Sequence, residues 1–180
     1  MNDIPIRHGD VAGSGLVLRP GAHELVLLPR MRFRAVCLGP DGEVKWEDEG
    51  ENLVTNVGLT FNLETMLRGS GYTAAWYLVL KNAGSIAAAD TLASHAGWAE
   101  QTPYAGNRPA VTFPAVSGGA VTSNQVSISI NATATVAGAG IATVNTGTSG
   151  TLYNMADFAA SRSVASGDTL NVTTSYSATV

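Results

Sequence analysis

Charge is almost absent from the C-terminal part of this chain of 180 residues. Between Ala110 and Val180 the charged side chains are Asp157, Arg162 and Asp168, and the remainder is almost entirely Ala, Ser, Thr, Gly, Val and Ile. Charged residues make up 13% of the whole chain, whereas a soluble domain has about a quarter. A surface so poor in charge is expected to pack against copies of the same chain or against a larger assembly.

The totals exclude several classes of protein. The length suits one domain with a core and room for an arm. A net charge of -4 argues against a nucleic-acid partner. We expect no membrane partner, because no apolar run approaches the ~20 residues that cross a bilayer. The N-terminus lacks the pattern of a signal peptide, which predicts synthesis in the cytoplasm. Cys37 is a lone cysteine in an alternating apolar run, so we expect it to be buried.

Basic residues are concentrated near the N-terminus, and an acidic segment follows them, so the sign of the charge alternates between neighbouring segments. The basic set is Arg7, Arg19, Arg30, Arg32 and Arg34, and the acidic run is Glu47, Asp48, Glu49 and Glu51. Such alternation suits docking onto a complementary protein surface, with the five arginines as contacts. A solvated face is the alternative interpretation.

Two regions of different composition divide the chain. Residues 1–29 contain four of the glycines and three of the prolines, and predict an extended N-terminal arm with short strands at most at 15–18 and 25–28. Residues 30–180 carry the patterns of a folded β domain. Met31 to Leu38 alternates apolar and basic residues, the Pro40-Asp41-Gly42 turn follows, and 43–47 returns as a second strand with Val44 and Trp46 facing inward.

One helix is predicted within 52–69. Thr55 or Asn56 can cap its start, Gly69 can end it, and an apolar stripe that includes Leu63 and Leu67 is expected to pack on a sheet. Residues 74–80 form a dense apolar run, which indicates a central strand.

The last third has the clearest strand signal. Residues 126–136 and 170–180 each alternate apolar and hydroxyl-bearing side chains, which predicts two long strands whose exposed faces or edges are covered by neighbours. We therefore predict a mainly all-β fold, an antiparallel jelly-roll-like β-sandwich with one short helix and an extended N-terminal arm. An immunoglobulin-like sandwich is the alternative.

No catalytic or metal-binding motif is present. His8, His23 and His95 lack the spacing of a zinc site. His95 lies between Asp90 and Glu100, but no Gly-x-Ser-x-Gly elbow accompanies it. We expect no enzymatic activity, no metal and no cofactor. A hydrolase of cell-wall polysaccharide that uses Glu100 and His95 is the weakest of the functional alternatives.

Trp98, Tyr104 and Arg108 lie in a polar segment that contains glycine and proline. Such side chains are either packed under a loop or displayed for binding. Because Trp, Tyr and Arg are the anchors that interfaces prefer, we hypothesise that these three residues contribute to a subunit interface.

Three stretches together resemble a family of small virion proteins of tailed bacteriophages. They are Asn52–Leu59 (NLVTNVGL), the segment from Ala89 to Arg108 with ADTL, His95, WAE and Tyr104, and Ser166–Val172 (SGDTLNV). In that family the first stretch opens a helix, the second forms a long loop and the third leads into the closing strand. The resemblance covers roughly residues 50–180 and does not extend to the arm.

Similar chains look like capsid decoration, or cement, proteins, and others of this kind are described only as tail or structural proteins. The resemblance implies a homo-oligomer, a dimer or trimer, on the outer capsid surface of the virion, bound to the major capsid protein. The alternative is a tail fibre, tail tip or head-fibre subunit that binds host surface glycan through Trp98 and Tyr104.

Overall fold

The computed structural model describes residues 16–18, 25–27, 30–69, 71–72 and 74–177. Arg7, Arg19 and most of the predicted arm lie outside these residues. In chain order the elements are β1 (Leu16–Leu18), β2 (Leu25–Leu27), β3 (Arg30–Leu38), β4 (Val44–Val54), α1 (Asn56–Leu67), β5 (Trp76–Lys81), β6 (Glu100–Gln101), β7 (Ala110–Val111), β8 (Ala120–Thr122), β9 (Val126–Ser129), β10 (Ala134–Ala142), β11 (Leu152–Val164) and β12 (Thr169–Ser177).

The strands form an antiparallel β-sandwich, which confirms the predicted fold class. Strands β1 and β2 pair as a separate two-stranded sheet, and the other strands follow the path β6-β5-β10-β11-β4-β3-β12-β8. Strand β7 joins this path beside β5, and β9 joins it beside β12. Strand β4 links the two layers, because its main part pairs with β3 and its last residues pair with β11.

The core lies between the two layers. Phe33 and Leu170 from one layer belong to the same buried cluster as Leu78 and Ile141 from the other. A second cluster covers the opposite face of β5, where Val79 packs beneath the loop that follows the strand. The second layer is therefore buried on both faces, which explains why β10 from Val136 onward and the start of β11 are continuously buried.

The hairpin of β3 and β4 has the predicted turn but a different register at its tip. Gly42 adopts a φ of 81° in the turn, a conformation that suits glycine. The pairing shifts between Cys37 and Leu38, so Leu38 lies opposite Val44 and Lys45 becomes the extra residue of a bulge. The prediction that Val44 faces inward was wrong, because this bulge turns it outward to 60% exposure. Trp46 packs against the core as expected.

Helix α1 confirms the predicted boundaries but not the predicted packing face. The side chain of Thr55 caps the helix by accepting a hydrogen bond from the Gly58 amide at 3.1 Å, and Gly69 follows its end with a φ of 64°. The helix approaches β11 through Gly58, where a Cβ would lie 2.2 Å from the Tyr153 carbonyl oxygen. Leu63 and Leu67, expected against the sheet, point away from it.

The predicted strand over 126–136 is interrupted. Strand β9 ends at Ser129, and the Ile130 amide then donates to the Asp168 carbonyl while the Asn131 amide donates to Pro103. The chain thereby leaves one layer and enters the other as β10. The final strand, β12, is confirmed over its described length and lies inside the sheet, between β3 on one side and β8 and β9 on the other.

Candidate functional site

The outer face of β3 presents the arginines that the sequence indicated as contacts. Alternation along the strand buries Met31, Phe33, Ala35 and Cys37, all at 2% exposure or less, and turns Arg30, Arg32 and Arg34 outward. These three arginines form a basic column at the surface of the sheet.

A column of glutamates on β4 lies beside the arginines. Arg32 Nη2 lies 3.0 Å from Glu51 Oε1, and Arg34 Nε lies 2.6 Å from Glu47 Oε1. The hydrogen bond to Glu47 and the charge of that carboxylate raise the pKa of Arg34. All four of these side chains are about half exposed or more, so the pairs contribute little to stability.

Hydroxyl and amide groups continue this face on the other side of the arginines. Asn171 of β12 accepts a hydrogen bond from the Ser127 hydroxyl of β9 at 2.7 Å. Nearer the end of the strand, the hydroxyls of Ser175 and Thr122 lie 2.9 Å apart. The outer face of this layer, here called the ladder face, thus has an acidic, a basic and a hydroxyl column.

Trp98, Tyr104 and Arg108 are packed within their own chain, with exposures of 6%, 7% and 8%. The Trp98 ring stacks on His95 with a centroid distance of 4.0 Å, and its indole N–H donates to Asp90 at 2.9 Å. Their part in a subunit interface stays a prediction, and little of each side chain is left for a neighbour to contact.

Arg108 holds together two segments of the chain through its side-chain hydrogen bonds. Its guanidinium donates to both carboxylate oxygens of Glu100 at 2.7 Å and to the carbonyls of Val144 and Gly147. The hydrogen bond to Glu100 raises the pKa of Arg108 despite burial. Burial, followed by the charge of Glu100, raises the pKa of Tyr104 to about 12.

The residues considered for hydrolysis are not assembled as an acid and a base. Glu100 is engaged by Arg108, and His95 Nδ1 lies 3.0 Å from the Trp98 carbonyl oxygen. Among the described residues no group of three or more His, Cys, Asp or Glu side chains is placed to hold a metal ion. The described part of the chain also contains no helix long and apolar enough to cross a membrane.

No protein-family model and no curated protein matches this chain. The function of the ladder face is therefore argued from its own residues. The alternation of apolar and basic residues in the sequence predicted that its arginines face outward. The opposing glutamates were recognised as a charge run, but their pairing with particular arginines depends on the register of β3 and β4.

Proposed function

We propose that this chain is a structural protein of a tailed-bacteriophage virion, which decorates the outer capsid surface as a homo-oligomer and braces neighbouring copies of the major capsid protein. The observation that carries the proposal is the ladder face, which offers fixed columns of charges and hydroxyls on one layer of the sandwich. The resemblance to cement proteins over residues 50–180 supports the same class.

The ion pairs of the ladder face suit an exchange of partners. Arg32 and Arg34 are held by exposed glutamates, and such pairs contribute little to stability. Little free energy is therefore needed for Arg32 and Arg34 to leave Glu51 and Glu47 and to pair with carboxylates of a coat protein. The hydroxyl column extends the contact without adding charges that a dry interface would leave unpaired.

The mechanism is passive. Each oligomer spans a boundary between coat subunits, and its contacts act together once the first is made, because the remaining contacts are intramolecular. Weak single contacts summed over many copies then oppose the outward pressure of packaged DNA. Charge complementarity of the arginine column would set the orientation on the shell.

Occupancy on purified particles tests the placement of the contact. The double variant Arg32→Ala, Arg34→Ala should leave the particles at a lower salt concentration than the unmodified protein does. Arg68→Ala is the matched control, because Arg68 is also exposed and paired with a glutamate but follows the end of α1, away from the ladder face. Occupancy of the double variant equal to that of the control at moderate salt would contradict the placement.

Copy number separates decoration from a tail or head-fibre role. Decoration requires a count that scales with the coat subunits, whereas a tail role gives a small number set by tail symmetry. Glycan binding was predicted to use Trp98 and Tyr104, whose rings are covered by their own chain at 6% and 7% exposure. A sugar stacked on either ring would have to displace residues of the protein itself.

A further inference from the structure

Helix α1 presents a stripe of leucines to solvent. Leu59, Leu63 and Leu67 are spaced four residues apart and therefore share one side of the helix. Their exposure rises along the helix from 36% to 59% and 77%. The opposite side of the helix makes the packing contacts, since Phe61 joins the core cluster and Gly58 lies against β11. Exposed apolar side chains that are grouped on one surface favour contact with another molecule.

A cleft of about 870 Å³ adjoins this leucine stripe. It lies at the end of the sandwich where β3 begins and β12 ends, and its apolar lining includes Met31, Val121 and Tyr176. Leu59 belongs to both features, because it is the first residue of the stripe and also lines the cleft. The convex ridge of α1 and the concave cleft therefore form one continuous surface.

We propose that this surface is where two copies of the chain meet, with the leucine stripe of each copy inserted into the cleft of the other. A two-fold contact uses the same patch on both subunits and needs a patch that is complementary to itself. A ridge beside a cleft has that property, because one rotation places both ridges in both clefts. The proposal concerns self-association and does not depend on what the oligomer binds.

The chemistry of the surface favours a second copy. The proposed contact is made by the leucine stripe and the apolar lining of the cleft, and it leaves the ladder-face residues of the cleft, among them Arg32, Thr122 and Ser175, for the coat protein. Interfaces between identical subunits are more apolar than those between transient partners. The stripe itself is uncharged, and the charged residues of the cleft, Arg30, Arg32 and Glu51, lie on the ladder-face side of β3 and β4.

Sedimentation of the full-length protein tests the proposal. The unmodified chain should associate, and Leu63→Glu should weaken association by roughly 30-fold or more, the effect expected of a central interface residue. Val44→Glu is the matched control, because Val44 is 60% exposed, like Leu63 at 59%, but pairs with Leu38 at the end of β3, whereas the cleft lies where β3 begins. The control should associate like the unmodified protein.

Thermal unfolding separates lost association from lost folding. Leu67→Glu provides a second variant at a position that is 77% exposed, where a charge should not disturb the fold. Association of both leucine variants with unchanged strength would overturn the proposal. A monomeric unmodified protein would also overturn it. In that case, slow labelling of the thiol in a Leu63→Cys variant would show that the chain covers its own leucine stripe.

Discussion

The buried side chain of Lys81 crosses Gly138 to reach the carboxylate of Asp157. Gly138 lies between the two residues in register, opposite Lys81 on β5 and opposite Asp157 on β11. Lys81 Nζ lies 2.5 Å from Asp157 Oδ1 and also donates to the Gly84 carbonyl at 2.7 Å. The Lys81 side chain has no exposed area, whereas that of Asp157 is 49% exposed. One end of this ion pair is thus in the interior and the other reaches water.

Because of this asymmetry, replacing Asp157 should destabilise the protein more than replacing Lys81. Asp157→Ala leaves the buried ammonium of Lys81 with the Gly84 carbonyl as its remaining described partner. This change should lower the free energy of unfolding by about 2 kcal/mol, which lies between the usual losses for exposed and for buried ion pairs. Lys81→Met keeps the volume, removes the charge and should be less destabilising. Urea unfolding of both variants checks the order, and a larger loss for Lys81→Met would contradict it.

Gly138→Ala should destabilise the protein although glycine and alanine differ by one methyl group. The new Cβ would lie 2.2 Å from the Ala156 carbonyl oxygen and 3.0 Å from the Lys81 stem. We expect a loss of about 1–3 kcal/mol, the usual effect of overpacking. Gly71→Ala is the control, because nothing lies within 4 Å of its added Cβ. Equal unfolding midpoints for the two variants would show that the strands separate easily at Gly138.

Acid should weaken the fold through two buried carboxylates, Asp48 and Asp168. Burial alone would raise their pKa values, but hydrogen bonds from Arg162 and the Ala159 and Glu49 amides to Asp48 outweigh it. Lys45 and the Ala165 amide do the same for Asp168. Both pKa values therefore lie below the ordinary 3.8.

A carboxyl whose pKa is lower in the folded state stabilises the protein above its unfolded pKa, and this stabilisation is lost as the pH falls through the folded pKa. The free energy of unfolding in urea should therefore decline below about pH 4. Asp168→Asn should be less stable than the unmodified protein at pH 7 and should lose less on acidification. Parallel pH profiles for the two proteins would exclude this role for Asp168.

Cys37 should be unreactive in the native protein. The thiol is fully buried, and burial, followed by the charge of Asp168 and a hydrogen bond to it, raises the pKa of Cys37 to about 11. A disulfide reagent at pH 8 should therefore label it only after unfolding in denaturant. Labelling of the folded protein at the rate of a small free thiol would mean that β3 opens readily.

The predictions that held depend on short-range patterns. Alternation in β3 identified its buried face because successive side chains of a strand point to opposite sides. Thr55 marked the start of α1 because its hydroxyl can accept from the helix amides. The alternation of β12 was equally local.

The predictions that failed depend on partners that lie far away in sequence. Val44 faces outward because a bulge at Lys45 changes the register, and the bulge allows Lys45 to bond the distant Asp168. The strand predicted over 126–136 breaks because the Asn131 amide bonds Pro103. Strand β11 was not predicted, since its first half is buried on both faces and so lacks alternation.

Local patterns were enough to predict a β protein with one helix in its described part, a basic strand and uncharged strands, because periodicity, capping and turn chemistry act over a few residues. Three relations appear only in the folded chain: Arg32 and Arg34 oppose glutamates, Lys81 crosses Gly138, and the leucines of α1 face outward. Those relations join residues from different strands, and strand pairing is set by the packing of the whole core rather than by any one segment.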